Sequence, residues 1–400
     1  MTRLAWKNLT HDKRRLLIAC TGIGFAVLLM FVQLGFESAL FSSQIQLIDK
    51  LAGEVFITSP ARFALAAEKR FPLAALAQAR SCEGVEGAYP VYAEWMAAVL
   101  RNLDPLTNDP SERQKQQKGY RIRVIGYQVG DPVFRATDFA ALGPALRPPQ
   151  TAIIDVKSKT PNFAFPVEDL ETLAQMPAEL AGKRVRLVGA FDLGADFVHD
   201  GNLVMHAPNF ASYFPNRRRF GDPLSVVDIG VVEVQDGYDA ADVAARISEK
   251  LGDEAVAYTH RDFVRKEKGF WRRSTPIGVV FSAGTIIGFI VGVVICYQVI
   301  FSDITDHMAE FATLKAMGYG ADYFTRLIVA EAFWLSIMGF VPGALVSTAL
   351  YAGLAAKTGL PLIMTPTLLA WVLLFTISMC TVSGLLAVRK LLVADPASLF

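Results

Sequence analysis

Two histidines and three aspartates between positions 192 and 206 are the residues of this chain whose types suit metal binding. His199 and His206 stand in the segment HDGNLVMH, and the carboxylates belong to Asp192, Asp196 and Asp200. Imidazole nitrogens and carboxylate oxygens are ordinary zinc ligands, but neither a close cysteine nor an HExxH spacing accompanies them. The alternative is an Asp-Gly turn that leads into a strand over NLVMH. The spacing favours the turn.

Motifs for nucleotide binding or covalent catalysis are absent from the sequence. A phosphate-binding loop needs GxxxxGK followed by Ser or Thr, and the Gly-Lys pair at 182–183 lacks both the leading glycine and the hydroxyl. There is no GxSxG elbow, and no serine and histidine are spaced to suggest a triad. We therefore predict no catalytic residue, cofactor or metal in this chain, and a membrane enzyme is the weakest interpretation.

The composition indicates a hybrid of membrane and soluble parts. The 400 residues are 52% hydrophobic, yet 19% are charged, which is too polar for a membrane bundle alone and too apolar for an ordinary soluble domain. The 39 basic residues are balanced by 38 acidic ones. The net charge is therefore close to zero, and no overall positive potential would attract nucleic acid. We do not expect nucleic acid as a partner.

Four windows have the length and apolar character of membrane-spanning helices, which need about 20 residues each. They are residues 16–36, 276–301, 327–351 and 368–388. The first is longer than the apolar core of a secretory signal and has no clear cleavage site, so we interpret it as a retained anchor. Basic residues gather before the first span, in the 302–326 loop and after the last span, which places both termini in the cytoplasm.

A basic cluster at 265–273 runs against this charge distribution, because it directly precedes the second span on the outer side. Long translocated domains largely escape the charge rule, and the predicted topology is kept. The domain concerned covers residues 37–275, and its runs of β-branched residues with two helical patterns indicate an α+β fold. Cys82 is its only cysteine, so it cannot close an internal disulfide.

Two segments of this domain echo each other as strand, helix, strand. EVFITS to VEGAYPVYAE is matched by DIGVVEV to DEAVAYTHRDF, which suggests two halves brought together from the ends of the domain. Residues 130–221 would then be an insertion between them, giving two subdomains. The polar stretch 102–119 has almost no apolar residues, and we expect a mobile loop or hairpin tip there.

Glycines recur every four residues in the second span. Gly284, Gly288 and Gly292 leave one helix face flat enough for a close helix contact, and Gly22 and Gly24 of the first span, with the polar Gln33, supply matching positions. The sequence leaves open whether this seam lies within one chain or between two copies.

The loop after the second span reads DHMAEFATLKAMG from Asp306 to Gly318. A helix there would place His307, Phe311 and Leu314 on one face, ringed by charged residues, and would end at Gly318 as a C-cap. An interfacial helix lying on lipid headgroups is the alternative. Because the segment is not basic, a cytoplasmic protein partner fits it better.

Several segments together resemble the FtsX-like, MacB-type family of ABC transporter permeases, and in it the DevC type. They are AEFATLKAMGYG, LIVAEAFWLSIMGFVPG, the tail VRKLLVADPASLF, HDKRRLLIACTGIGFAVLLMFVQLGFESALF, the DGNL at Asp200 and STPIGVVFSAGTIIGFIVGVVICYQVIFSDITDH. The resemblance spans nearly the whole chain. It implies four membrane helices with a MacB-like periplasmic core of two subdomains, in a bacterial inner membrane.

The resemblance also implies partners and roles for individual residues. A separate ABC ATPase, which holds the ATP and magnesium, would grip a coupling surface formed by Asp306, Glu310, Phe311, Leu314, Lys315, Met317 and Gly318. A second copy of the chain would pack through the first two spans, using Gly284, Gly288, Gly292, Gly22 and Gly24. A periplasmic membrane-fusion adaptor and a TolC-like outer-membrane channel would complete an exporter of glycolipid or another hydrophobic substrate among the membrane lipids. Segments 37–50 and 263–273 would form a stalk.

The predicted order along the chain is a cytoplasmic amphipathic segment, span 1, the periplasmic stalk and domain, span 2, the coupling helix, span 3, a short periplasmic loop, span 4 and a cytoplasmic tail. The corresponding ranges are 1–15, 16–36, 37–275, 276–301, 302–326, 327–351, 352–367, 368–388 and 389–400. Two alternatives to export stand beside it: a mechanotransmitting scaffold that regulates a cell-wall hydrolase, and a permease that extracts lipoproteins.

Overall fold

The computed structural model describes residues 13–104, 109–135, 137–218, 221–308, 313–315, 317–358 and 360–393. The chain divides into two units. The membrane unit comprises the residues up to Ala39, Pro276–Lys357 and those from Leu362 onwards, and the α+β unit comprises Leu40–Thr275 with Thr358–Pro361.

The described elements are numbered here in chain order. The helices are α1 Lys13–Lys50, α2 Leu73–Arg80, α3 Pro110–Lys118, α4 Thr137–Leu146, α5 Thr160–Phe163, α6 Leu170–Gln175, α7 Ala207–Tyr213, α8 Ala240–Leu251, α9 His260–Arg273, α10 Pro276–Asp306, α11 Ala321–Thr358 and α12 Pro366–Val393. The strands are β1 Val55–Thr58, β2 Phe71–Pro72, β3 Val85–Glu94, β4 Val99–Asn102, β5 Tyr120–Arg121, β6 Arg123–Tyr127, β7 Thr151–Asp155, β8 Ala178–Leu180, β9 Lys183–Phe191, β10 Asn202–His206, β11 Val226–Val227, β12 Ile229–Val234 and β13 Val256–Thr259.

Four of the described helices are long and apolar enough to cross a membrane. They are Leu16–Lys50, Pro276–Asp306, Ala321–Ala355 and Pro366–Arg389. The predicted fold class, four membrane helices with a large α+β region between the first two, is confirmed. The first helix continues beyond the predicted span, from Phe36 to Lys50. The residues after Phe36 are more polar but still compatible with a helix, and no glycine or proline follows before Gly53.

The two echoing segments of the α+β unit form one four-stranded antiparallel sheet with the order β13-β1-β12-β3. This is the ferredoxin-like arrangement, in which each strand-helix-strand half contributes one central and one outer strand. The expected union of the two chain ends is therefore observed. Helices α2 and α8 pack together on one face of this sheet, through Leu76, Ile247 and their neighbours.

The opposite face of the sheet is covered by the end of α1 and by α9. Val55 and Ile57 point to the α2 and α8 side, while Phe56 between them packs with Ile48 of α1 and Phe263 of α9. Successive residues of a strand face opposite sides of a sheet, so β1 alone supplies both cores.

The sheet continues from β3 through β6-β10-β7-β9-β8-β4-β5. β10 pairs parallel with β6, and β7 pairs parallel with β9. Strands β4 and β5 precede residue 130, yet β4 pairs with β8 inside the expected insertion. The inserted part of the fold thus draws on residues before 130 as well. The subdomain bounds given above stay a prediction.

The polar stretch 102–119 differs from the expected loop, since it contains helix α3. The side chain of Asp109 caps that helix by accepting a hydrogen bond from the Ser111 backbone N–H at 2.8 Å, Pro110 opens it, and Gly119 follows its end with φ +83°. An acidic N-cap followed by proline at the first helical position is a helix start signal. This signal was missed because the segment has too few apolar residues to show a helical periodicity. The stretch does join an antiparallel strand pair, β4 and β5.

The end of α1 and the whole of α9 run antiparallel within the α+β unit. Asp49 lies 3.1 Å from His260 at one end of the pair, and Phe41 lies 5.2 Å from the Arg272 guanidinium at the other. Helix α9 ends at Arg273, and two residues separate it from Pro276, where α10 begins. These are the two segments that the resemblance assigns to a stalk.

Candidate functional site: the coupling turn and its helix seams

The candidate coupling site is described in part. Its residues Asp306, Leu314, Lys315, Met317 and Gly318 belong to the described chain, whereas Glu310 and Phe311 lie outside the described residues.

Residues 313–319 end a helix with the geometry expected of a glycine cap. The backbone N–H of Tyr319 donates to the Leu314 carbonyl at 3.2 Å, the N–H of Gly318 donates to Lys315 at 3.1 Å, and Gly318 has φ +94°. This pair of bonds is the Schellman motif. A residue with a side chain is disfavoured at that φ, so the glycine fixes where the turn leaves the helix.

The turn exposes apolar side chains on both sides of Gly318. Met317 is 63% exposed and Tyr319 44%, and the Tyr319 ring lies 4.6 Å from that of Tyr323 in the first turn of α11. On α11 an open groove of about 400 Å³ follows, lined by Thr325, Arg326, Val329, Ala330, Phe333 and Trp334. The arrangement offers contact surface to a partner and contains no reactive group.

The five predicted seam glycines pack within one chain. A methyl group added to Gly284 would meet Gln33 at 2.5 Å, one on Gly292 would meet Met379 at 2.3 Å, and one on Gly22 would meet Ile295 at 2.5 Å. Gly288 faces Met30 at 3.6 Å, and Gly24 faces the Gly339 carbonyl at 3.4 Å. Each of these glycines faces atoms of its own chain. Their predicted role in the packing of two copies stays a prediction.

A second glycine pair, on α11, escaped the sequence analysis. Methyl groups at Gly339 and Gly343 would lie 2.4 Å from Ile23 and 2.8 Å from the Gly24 carbonyl oxygen. The hydroxyl of Tyr351 also donates a hydrogen bond to the Phe31 carbonyl. The Gly-x-x-x-Gly spacing at 339–343 is a helix-packing pattern that can be recognised in the sequence. Helix α1 is thus held against both α10 and α11 by close backbone approaches.

The structure separates the histidines and aspartates: Asp196 and His199 form a buried cluster with Arg123, whereas Asp192 pairs with Lys157 and Asp200 with Lys159. Arg123 Nη1 lies 2.9 Å from an Asp196 carboxylate oxygen, and His199 Nδ1 lies 2.8 Å from the same carboxylate. His206 is elsewhere, where its Nδ1 accepts the Val129 backbone N–H. Burial raises the pKa of Asp196, but His199, Arg123 and hydrogen bonds outweigh it and lower the pKa to about 2. A guanidinium in contact with the carboxylate opposes a metal cation, and no metal-binding group occurs among the described residues.

A larger ionic network that the sequence analysis did not predict lies where β12 begins and β3 ends. Asp228 is fully buried and accepts hydrogen bonds from Arg62, at 2.6 Å, and from Arg217. Arg70 lies 2.8 Å from Glu94. These residues are far apart in sequence, which is why no spacing pattern revealed them. The network fixes the 59–70 loop to the sheet.

Two carboxyl groups of this region have raised pKa values. Burial is the main cause for Glu94, followed by its hydrogen bond with Glu68 and by that residue's charge, and the pKa rises to about 7. Burial also raises the pKa of Glu267 on α9 to about 7. The Glu267 carboxylate accepts hydrogen bonds from the Leu65 backbone N–H and the Trp271 ring, both at 2.9 Å.

Comparison with known proteins gives one family match, over residues 282–396, to the FtsX-like permease C-terminal domain. The chain is similar to the periplasmic region of MacB from Actinobacillus actinomycetemcomitans at 11% identity and TM-score 0.31, over 52% of this chain and 88% of that one. It is also similar to the extracellular domain of the noncanonic ABC-type transporter YknZ from Gram-positive bacteria at 11% identity and TM-score 0.32, over 52% and 99%. No curated protein matches the chain.

The matched range contains most of α10, the coupling turn, and the whole of α11 and α12. It therefore holds three of the four candidate membrane helices and the glycine cap between two of them. The part of the chain from residue 282 to residue 396 thus matches the model of the FtsX-like permease C-terminal domain.

Proposed function

We propose that this chain is the permease subunit of an ABC exporter, and that a separate ATPase drives it through the turn at 306–320. The carrying observation is the family match over the region in which the Schellman turn presents Met317 and Tyr319. ATP and magnesium are bound by the ATPase, since this sequence has no phosphate-binding loop.

The proposed path for motion follows two stretches of continuous chain. Helix α1 is continuous from Lys13 to Lys50, and its last residues pack in the α+β unit beside Phe56. Helix α9 packs beside them in the same unit, and two residues separate it from α10. In this proposal, motion that enters at the coupling turn is passed to the α+β unit along these two stretches.

The complete assembly in this proposal is a homodimer in a bacterial inner membrane, with cytoplasmic termini and the α+β unit in the periplasm. It works with a periplasmic adaptor and a TolC-like outer-membrane channel, and exports a glycolipid or another hydrophobic substrate. A scaffold that only transmits force to a cell-wall hydrolase, or a lipoprotein-extracting permease, would use the same coupling turn. Transport of labelled lipid by the reconstituted pair of subunits separates export from force transmission.

The coupling turn is tested by Gly318→Val with Gly320→Ala as its control. Valine at φ +94° should cost about 1–2 kcal/mol and distort the cap, and we expect the ATPase to bind at least tenfold more weakly, by roughly the 1.4 kcal/mol that this factor represents. A methyl group at Gly320 meets nothing within 4 Å, so that variant should bind normally. Binding is measured with the full chain in nanodiscs. Equal affinity of both variants would count against the coupling role.

A further inference from the structure

Helix α9 carries a stripe of basic side chains along one face. Arg261, Arg265 and Arg272 are exposed and Lys268 is partly exposed, and their spacing of four, three and four residues places them in line on a helix. The opposite face holds Phe263, Glu267 and Trp271, all of which are buried in the α+β unit. The helix therefore exposes these cations on the face opposite the core, and the Arg272 guanidinium also lies 5.2 Å from the Phe41 ring of α1.

The cations at the two ends of this stripe differ in their surroundings. Near the start of α9, Arg265 forms an ion pair with Asp262 at 2.8 Å, and Lys266 lies 4.3 Å from the Tyr258 ring. At the other end stand Lys268, Arg272 and Arg273, and none of the three forms an ion pair with a described carboxylate. Glu267, the acidic residue nearest to them in the helix, is 1% exposed. The end of α9 is thus an uncompensated cluster of positive charge.

A pair of aromatic rings, one exposed and one partly buried, lies beside this cluster. The Phe63 ring packs 5.1 Å from the Phe270 ring, yet Phe63 remains 54% exposed. Its loop is fixed on both sides, since the Leu65 N–H is bonded to Glu267 and Arg62 is bonded to Asp228. An apolar ring is therefore held in solvent contact by a rigid support.

The position of the cluster in the chain limits its distance from the bilayer. Arg273 is three residues before Pro276, the first residue of a candidate span, and Phe270 is six residues before it. The three residues from Arg273 to Pro276 extend at most about 10 Å, which is close to the thickness of one headgroup layer, about 5–8 Å. Cations with exposed aromatic side chains next to a span are the combination that lipid interfaces favour.

We propose that Lys268, Arg272 and Arg273 bind anionic phospholipid headgroups of the leaflet on the side of the α+β unit, and that Phe63 and Phe270 enter the interface beside them. The complementarity of charge supports this occupant, since each basic residue near an anionic surface strengthens attraction about fivefold. The site holds the end of α9 at the membrane surface just before α10 begins.

The test uses the full chain in nanodiscs that contain phosphatidylglycerol or phosphatidylcholine with the same photoreactive group on the headgroup. We expect the anionic lipid to cross-link peptides covering 59–66 and 263–275 about tenfold more than the neutral lipid. The triple variant Lys268→Gln, Arg272→Gln, Arg273→Gln should lose that preference. A matched triple variant at exposed positions elsewhere on the unit, Arg218→Gln, Arg246→Gln, Lys250→Gln, should keep it.

Three results would overturn the proposal: equal cross-linking of the two lipids in the native chain, an anionic preference that survives in the Lys268, Arg272, Arg273 variant, or competition by soluble glycerol phosphate. Competition by soluble glycerol phosphate would assign the cluster to a free anion and would equally refute a membrane site. Phe63→Ser should abolish the cross-links to the 59–66 peptide and leave those to the 263–275 peptide unchanged. If the 59–66 peptide still cross-links, the aromatic pair does not contact the lipid. An unchanged unfolding temperature of each variant shows that the unit is folded.

Discussion

Individual residues of the α+β unit carry charge in buried places that a sequence pattern does not reveal. The glycine cap at Gly318 was predictable, because it depends on residues within five positions of each other. The network of Arg62, Arg217 and Asp228 was not, since Arg62 and Asp228 are 166 positions apart. A buried ionic network costs desolvation energy, and its members must all be present to offset that cost.

The Glu94 and Glu68 pair makes stability depend on pH in a defined direction. The pKa of Glu94 is raised from 4.5 to about 7 in the folded chain. The folded state therefore holds a proton that the unfolded state releases, and this contribution is fully present below pH 4.5 and is lost as the pH rises through 7. The Glu94 contribution to the free energy of unfolding should fall by about 2 kcal/mol between pH 5 and pH 8, and Glu267, whose pKa is also raised to about 7, adds a loss in the same direction.

Glu94→Gln tests this contribution, because the amide can donate to Glu68 and still accept from Arg70, as the protonated acid does. The variant should be more stable than the native chain at pH 8 and equally stable near pH 5. Unfolding is followed by fluorescence, with Trp95 as a nearby reporter, and Glu249→Gln at an exposed site of α8 is the control. If Glu94→Gln and native chain lose stability in parallel above pH 7, the carboxyl pair is not responsible.

At the scale of elements, hydrophobic periodicity predicted the membrane helices and an α+β unit, and the echo of two strand-helix-strand segments predicted the central sheet. The hydrophobic pattern did not predict that α1 extends to Lys50. The length of an apolar run indicates only the part of a helix that crosses the membrane, whereas the helix itself ends where helix-breaking residues occur. The sequence also left the glycine seam undecided between one chain and two. In the structure, Gly22, Gly284 and Gly292 face side chains of the same chain, and pairing of two copies through them stays a prediction.

The crossing of α1 and α11 gives a prediction with a built-in comparison. A methyl group at Gly343 would lie 2.8 Å from the Gly24 carbonyl oxygen, whereas one at Gly288 has no neighbour closer than 3.6 Å. Gly343→Ala should therefore destabilise the membrane unit by about 1–3 kcal/mol through overpacking, and Gly288→Ala should be nearly neutral. Unfolding of the full chain by detergent titration measures both. Similar losses in the two variants would contradict the seam described here.

At the scale of the whole molecule, composition and hydropathy were sufficient for the architecture, four apolar helices with an α+β unit between the first two. They did not identify the partners. A protein that acts through binding surfaces needs no catalytic groups, and a binding surface leaves little pattern in the sequence. The coupling surface itself was inferred from resemblance. The cargo, adaptor and channel remain proposals on the same ground.

The central claim is that a nucleotide-hydrolysing subunit outside this chain drives it. The direct measurement is to purify the full chain from native membranes under mild conditions and to label the sample with a photoreactive ATP analogue. The account predicts that the label appears on a co-purifying polypeptide with a phosphate-binding loop, and that this polypeptide is lost from the Gly318→Val variant. Label on this chain itself, or a purified chain with no nucleotide-binding partner, would contradict it.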